Sequence, residues 1–277
     1  MGDPVRHSLS PVLHNAAFAA LGMDWAYVAL PVVASEVGPA LRAVVALGLE
    51  GLNVTMPHKA SVAVHLDRLS PTAAALGAVN TVVRLGGELV GESTDGSGFL
   101  DALRLDEGFD PSGRRCWVQG GGGAARAVVL ALAGAGAASV VVANRSAERA
   151  AAAAALAGRI GRVGGLEEAG DADLVVNATP VGMSGRAGSG VAGSGGGLGE
   201  LPLRVELLGP GQLVIDLVYH PLRTALVEAA LSRGARASGG LGMLVHQAAH
   251  SFRLWTGAKA PLEAMRAAVA GVVDPGP

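Results

Sequence analysis

Lys59 closes the run Asn53-Val54-Thr55-Met56-Pro57-His58-Lys59, polar at alternate positions until it breaks at proline, as expected of a strand end that delivers functional groups into a cleft. Only two lysines occur, Lys59 and Lys259, while the other nineteen of the 21 basic residues are arginine. Arginine stays protonated, whereas a lysine amine can give up its proton and take it back, so a retained lysine is a candidate for proton transfer. Taken alone, Lys59 is equally well read as a surface lysine on the first turn of a helix. Lys259, in Thr256-Gly257-Ala258-Lys259-Ala260-Pro261, is a loop residue.

A second set of residues suits a different chemistry. Gly120, Gly121, Gly122 and Gly123 run into Ala124 and Ala125 between a strand pattern and a helix former. Glycines let a backbone approach a pyrophosphate, and the following helix N-terminus offers unpaired N–H groups and a positive dipole end. A bare glycine run also makes a plain turn; the strand–helix–strand setting favours cofactor binding. At the end of the next strand an NAD enzyme usually presents Asp or Glu to the ribose 2′-hydroxyl. Here stand Asn144, Arg145 and Ser146, with Arg149 one helical turn beyond Arg145. Two guanidiniums and a hydroxyl suit a 2′-phosphate, so NADP fits better than NAD. Ser146 serves equally as the cap of a solvated helix start, and both roles are compatible.

The elements that must position these groups follow two rhythms. Before residue 106, strands are expected at 25–33 and 49–55, helices at 37–47 and 58–69, a strand pair at 80–85 and 89–91 around Gly86-Gly87, and a helix at 98–105. Residues 107–113 have linker composition. Strands at 116–119, 139–143, 173–177 and 214–217 then alternate with helices at 124–132, 146–156 and 222–232, the signature of a doubly wound parallel sheet. Residues 184–200 are mostly Gly, Ser and Ala, a flexible insertion to which no function is assigned. Helices at 242–255 and 261–272 lie beyond the parallel unit and are expected to return to the first domain. The expected domains are thus 1–105 with 239–277, and 106–238.

With 277 residues, half of them apolar, the chain can hold two modest cores. Net charge is -2 and aromatic residues make up 3%, so neither the basic stripe nor the stacking platform of a nucleic-acid binder is present. A single cysteine, Cys116, rules out an internal disulfide and fits a reducing compartment. No signal core follows Met1, and the longest weakly polar stretch is broken by glycines, so a cytoplasmic protein without a membrane span is expected. His246 and His250 are spaced i, i+4, but no third ligand accompanies them and no metal is expected. His58 and His14 rank below Lys59 as acid–base candidates.

Further short polar groups end apolar segments: His7-Ser8-Leu9-Ser10-Pro11, Gly77-Ala78-Val79-Asn80-Thr81, Ser93-Thr94-Asp95-Gly96, Asn177-Ala178-Thr179-Pro180-Val181-Gly182-Met183, Asp216-Leu217-Val218-Tyr219-His220-Pro221 and Met243-Leu244-Val245-His246-Gln247-Ala248. With the run ending at Lys59 and the glycine loop, they resemble closely, in order and over nearly the whole chain, the motifs of the shikimate dehydrogenase family. The resemblance implies an α/β protein with a Rossmann-like NADP domain, an α/β substrate domain and a cleft between them. It implies NADP-linked, reversible reduction of 3-dehydroshikimate to shikimate in aromatic amino-acid biosynthesis. Ser8, Ser10, Thr55 and Tyr219 would hold the substrate carboxylate, while Lys59, Asn80, Asp95 and Gln247 would bond the ring oxygens. Lys59 and Asp95 would be the catalytic pair, the ammonium giving a proton as the carbonyl is reduced and the carboxylate orienting it. Thr179, Leu217, Gly240 and Met243 match positions around the cofactor. Ser8 and Ser10 share a face if their segment is extended.

The chain departs from the family pattern in three places. The family opens with a strand several residues before its G-x-P, whereas Met1 here immediately precedes Gly2; either the start lies upstream or the first sheet lacks a strand. Ser93 replaces the usual Asn before Thr94-Asp95, and the 184–200 insertion is long. Three other readings compete: a dehydrogenase acting on quinate as well, a non-catalytic NADP-binding sensor, and a methyltransferase on a similar glycine loop. The sensor has no need of Lys59 and Asp95 together, and the methyltransferase would more often keep an acid where Asn144-Arg145 stands. Oligomeric state is not readable from the sequence, and a homodimer is left open.

Overall fold

The structure, a computed structural model, describes residues 1–183 and 203–273. The Gly/Ser-rich stretch 184–200 lies outside the described residues. The chain divides into two compact units, Met1–Gly98 with Val245–Pro277, and Phe99–Leu244. Both divisions fall inside helices rather than at 105/106 and 238/239, because Phe99, Leu103 and Met243 pack into the second unit's core.

In chain order the first unit contains α1 (Ser10–Ala20), α2 (Val37–Ala46), β1 (Gly51–Asn53), β2 (Arg68–Leu69), α3 (Pro71–Leu76), β3 (Thr81–Leu85), β4 (Glu88–Glu92) and the start of α4 (Asp95–Asp101). Its sheet has the order β1-β3-β4-β2, with β1/β3 and β3/β4 antiparallel and β2/β4 parallel. The β3–β4 hairpin turns on Gly86 and Gly87 at φ 58° and 92°, the left-handed pair that a two-residue hairpin of matching twist requires. Val37, Leu41 and Val44 of α2 bury one helical stripe against Leu52, Val54, Val82 and Leu89.

Two sequence expectations fail in this unit. Residues 25–33 do not form a strand: Gly2 makes a single parallel bridge to Pro31, through Gly2 N–H to Leu30 O and Val32 N–H to Gly2 O. Pro31 has no N–H to extend a ladder. Nor is 58–69 a helix. It folds as turns with a 3₁₀ turn at Ala63–His65, and then Asp67 N–H and Ser70 N–H bond to Leu89 and Gly91 of β4. The sheet offers these groups partners that a helix would forgo. The helix that does form is α3, capped by Ser70 Oγ accepting from Ala73 N–H, with Pro71 in its first turn and Gly77 left-handed at its end. That Ser-Pro…Gly punctuation was legible and was missed.

The second unit holds β5 (Arg115–Gln119), α5 (Gly123–Gly134), β6 (Ser139–Ala143), α6 (Ala147–Ala154), β7 (Gly161–Val163), β8 (Leu174–Asn177), β9 (Leu213–Asp216), α7 (Ala225–Ser232) and β10 (Arg236–Ser238). All strand pairs are parallel, in the order β10-β9-β8-β5-β6-β7. Counted from β5, this is the doubly wound order, in which strand addition switches sides between β5 and β8. β8 and β9 are buried end to end, and β5 and β6 in all but their first residue, as a sheet covered on both faces demands. Cys116 lies in β5, its thiol pushed up to about 12 by burial, so it is packing and not chemistry. Helices α8 (Leu241–Thr256) and α9 (Leu262–Val273) follow, and α9 packs on α1. None of the described helices is long and apolar enough to cross a membrane.

Candidate active site

In the first unit, the turn after β1 carries Lys59. His58 is buried with Nε2 2.6 Å from Val32 O, and Val79 N–H donates to Lys59 O at 2.8 Å, so the turn is tied on both sides of the lysine. Asp95 opens α4 directly after β4, and Asn80 precedes β3; Asn80 N–H bonds to Glu92 O at 3.1 Å. The hairpin therefore delivers Asn80 and Asp95 side by side. Lys59 Nζ lies 2.5 Å from Asp95 Oδ2, and Asn80 Nδ2 donates to Asp95 Oδ1 at 2.7 Å. The Asp95 side chain is 11% exposed and that of Lys59 26%, so a nearly buried carboxylate holds an ammonium that still reaches solvent. Such a pair can present a proton to a bound oxygen and recover it afterwards.

Gln247 joins this neighbourhood on α8. Gly98 allows it: a Cβ there would sit 2.4 Å from Gln247 N, so only glycine lets the start of α4 lie against α8. Thr55 is fixed by its backbone, its N–H donating to Met1 O and its O accepting from His58 N–H. The expected extended path through Ser8 and Ser10 is not found. Leu9 has helical angles (φ -83°, ψ -5°), and Ser8 Oγ accepts from Ser10 N–H at 3.2 Å, so the serines meet across a helix start instead of along a strand face.

Sequence reasoning passed over the side chains behind the pair. Asn53, Thr81, Thr94 and Ser251 are hydrogen-bonded together, and Tyr27 donates to Asn53. Ser251 was findable, since it lies one helical turn beyond Gln247 on the same face. No local pattern points to Tyr27.

In the second unit, Gly120 has φ 129°, which a side chain would strain, and a Cβ at Gly121 would meet Arg149 Cβ at 2.8 Å. A Cβ at Gly122 or Gly123 would meet nothing within 4 Å. One side of the loop is thus packed against Arg149 of α6 and Ala178 after β8 and the other faces open space, where the first N–H groups of α5, including that of Ala124, lack helical partners. Gln119 Oε1 and Arg126 Nε, flanking the loop, are buried with no protein partner. After β6, Asn144 Nδ2 donates to Ser146 O, and Ser146 Oγ caps α6 by accepting from Arg149 N–H at 3.3 Å. Arg145 and Arg149 are exposed. Thr179 donates N–H and Oγ–H to Asn177 Oδ1, and Asn177 Nδ2 donates to Asp216 Oδ1, which joins the ends of β8 and β9. Gly240 lies so close to Leu217 that a Cβ would fall 2.1 Å from Leu217 O, and Met243 packs nearby on the core. Tyr219 is half-buried in the loop after β9, its phenol pushed up by burial. Phosphate-bearing dinucleotides need this set of open N–H groups, small residues and exposed guanidiniums.

His246 is buried against Arg266, and among the described residues no cluster of metal-ligating side chains occurs.

A doubly wound parallel sheet with a glycine loop at its turning point, joined to a smaller α/β unit bearing a lysine–aspartate pair, defines a Rossmann-type oxidoreductase. Residues 1–82 match the shikimate dehydrogenase substrate binding domain, and residues 240–270 match the shikimate 5'-dehydrogenase C-terminal domain. The shikimate dehydrogenase (NADP(+)) of Moorella thermoacetica is 47% identical over 275 residues, covering 96% of this chain and 89% of that protein. The structure of shikimate 5-dehydrogenase from Thermus thermophilus in complex with NADP(H) and shikimate superposes with a TM-score of 0.86 at 39% identity, covering 96% and 95% of the two chains. Quinate dehydrogenase from Corynebacterium glutamicum in complex with NAD gives 0.84 at 33% identity, covering 98% and 96%. The chain belongs to the shikimate dehydrogenase family.

Proposed function

We propose that this protein reduces 3-dehydroshikimate to shikimate with NADPH, reversibly, with the first unit binding substrate and the second binding cofactor. The Lys59 Nζ–Asp95 Oδ2 contact of 2.5 Å carries the reading, because a carboxylate spent on the only lysine of the unit's interior is what a proton donor to a reduced carbonyl needs. NADPH, when bound, supplies hydride to the carbonyl carbon. Lys59 gives its proton to the carbonyl oxygen as charge builds there, and Asp95 holds the ammonium in line and offsets its charge. Asn80 and Gln247 fix the ring hydroxyls, and Ser8, Ser10 and Thr55 take the carboxylate. Gly120 to Ala124 hold the pyrophosphate, Asn144, Arg145, Ser146 and Arg149 the 2′-phosphate, and Thr179, Leu217, Gly240 and Met243 the rest of the cofactor. Such an enzyme, with one buried cysteine, would work in the cytoplasm.

The test is NADPH consumption with 3-dehydroshikimate by the wild type and by Lys59→Ala. No turnover by the wild type would sink the proposal. Quinate is the second reading, favoured by the quinate dehydrogenase neighbour. A side-by-side kcat/KM for both acids decides between them.

A further inference from the structure

Behind the Lys59–Asp95 pair runs a line of side chains of which the chemistry proposed above uses only Asn80. Tyr27 Oη donates to Asn53 Oδ1 at 2.9 Å, and Asn53 Nδ2 donates to Thr81 Oγ1 at 3.0 Å. Thr81 Oγ1 donates to Asn80 Oδ1 at 3.0 Å, and Asn80 Nδ2 donates to Asp95 Oδ1 at 2.7 Å. The amide orientations follow from backbone groups that have only one role. Thr94 N–H can only donate, and it meets Asn80 Oδ1 at 2.8 Å, so Nδ2 must face Asp95. The Asn80 carbonyl can only accept, and it meets Asn53 Nδ2 at 3.2 Å, so Asn53 Oδ1 must face the phenol. Both amides therefore donate towards Asp95, and the Thr81 hydroxyl links them, accepting from Asn53 Nδ2 with Asn80 Oδ1 at 3.0 Å. Ser251 Oγ, fully buried on α8, braces the line at Thr81 (2.8 Å) and Asn53 (3.0 Å).

We infer that Tyr27, Asn53 and Thr81 are positioning residues, a hydrogen-bonded line that sets the Asn80 amide and through it the carboxylate that holds Lys59. The inference rests on the reading of Lys59 and Asp95 as the acid–base pair. Hydrogen bonds in series polarise one another, and the charged acceptor at the end of the series gains most. Each amide has one satisfying orientation here: flipping Asn80 would set donor against Thr94 N–H and acceptor against Asp95, and flipping Asn53 would set its Oδ1 against the Asn80 carbonyl. Burial pushes the Tyr27 phenol up from its ordinary value, so it remains a donor, and its ring is stacked on His14 at 4.6 Å between centroids.

The chain's lysine content supplies the test. Only Lys59 and Lys259 can be acylated at a side-chain amine, so competitive labelling of the ligand-free protein reads Lys59 against an internal reference. Thr81→Val removes the hydroxyl at constant shape, Thr81→Ser restores it, and Tyr27→Phe removes the first donor. Thr81→Val should lower kcat about tenfold with KM for NADPH unchanged, and Tyr27→Phe about threefold, the range one hydrogen bond carries. Both should raise the Lys59:Lys259 labelling ratio, and Thr81→Ser should bring kcat and ratio back. Equal behaviour of the Val and Ser variants, or an unchanged ratio in both Thr81→Val and Tyr27→Phe, would overturn the inference. If Thr81→Val does not fold, Tyr27→Phe decides on the same two readouts. A wild type that turns over no 3-dehydroshikimate while the ratio still shifts would remove the proposed reaction and leave the chain's hold on Lys59 standing.

Discussion

Around Lys59 and Asp95 the polar atoms are bonded to one another, while around the glycine loop they face open space. The first site is made of side chains: one ammonium, one carboxylate, two amides and several hydroxyls, most of them buried. The second is made largely by leaving side chains out, at Gly120 to Gly123, with two exposed guanidiniums beside it. The difference matches the ligands proposed for each. A proton donor must be held to a fraction of an ångström before its substrate arrives, which needs a shell already closed around it. A pyrophosphate brings its own charge and needs unpaired N–H groups, so a site that satisfied them in advance would have nothing to offer. The first site should therefore respond sharply to single side-chain changes and little to salt, and the second the reverse.

The largest effect expected is on kcat at Lys59. Lys59→Ala should lower it by roughly 10²–10⁴, the range for a positioned acid–base group, with a smaller change in KM. Asp95→Asn should be severely impaired too, and the double variant little worse than the worse single one. Steady-state rates of the three variants test this, and losses that simply add would show that the two residues act independently.

The glycine loop can be taken apart by position. Gly121→Ala places a Cβ against Arg149 and should cost about 1–3 kcal/mol of stability with no ligand present, as overpacking does. Gly122→Ala meets nothing and should leave that stability within about 0.5 kcal/mol, yet weaken NADP binding because the methyl enters the space meant for phosphate. Thermal melts and NADP titrations of both variants separate the two. Unchanged NADP affinity in Gly122→Ala would place the cofactor elsewhere.

Arg145→Ala should weaken NADP by roughly one to two decades, since an exposed charge-assisted contact is worth about 1–3 kcal/mol. NAD should bind the variant and the wild type alike, and raising salt should erode the wild type's preference because Arg145 is exposed. Equal wild-type affinity for NAD and NADP would show that Asn144 and Arg145 have been misread.

Legibility followed the same divide. The parallel unit's central strands and its helices were readable because continuous buried runs alternating with alanine-rich helices have few other solutions, though the short edge strands β7 and β10, with three residues each, left no pattern. In the first unit, 25–33 read as a strand from its apolar residues, but Val28 and Val33 are exposed and the segment's pairing stops at Pro31. The run 58–69 read as a helix because bonding to β4 is a tertiary choice that local composition does not carry. Lys59 was visible through the scarcity of lysine and Asp95 only through family resemblance. Tyr27 was invisible because its partner Asn53 lies 26 residues away, whereas Ser251, whose partner Thr81 lies 170 residues away, could be reached only through its helical spacing to Gln247.

The effect expected in the wall behind Tyr27 concerns stability and vanishes at neutral pH. His14 is fully buried, both ring nitrogens lack a partner, and its ring is stacked on Tyr27 and tilted against Trp255. Burial lowers its pKa from 6.5 to about 3, which nearby Asn53 opposes only in part, so the folded protein keeps it neutral. The unfolded chain binds a proton there below about pH 6.5 and the folded chain does not. The contribution is therefore complete above pH 6.5 and is lost as pH falls towards 3, by at most about 1.4 kcal/mol per pH unit. His14→Phe keeps an aromatic ring in the stack and removes the titration. Denaturant unfolding at pH 7, 6, 5 and 4 should show the variant losing stability less steeply than the wild type below pH 6.5. Parallel curves would mean that His14 finds a partner in solution, and this corner of the first unit would be as open to water as the glycine loop.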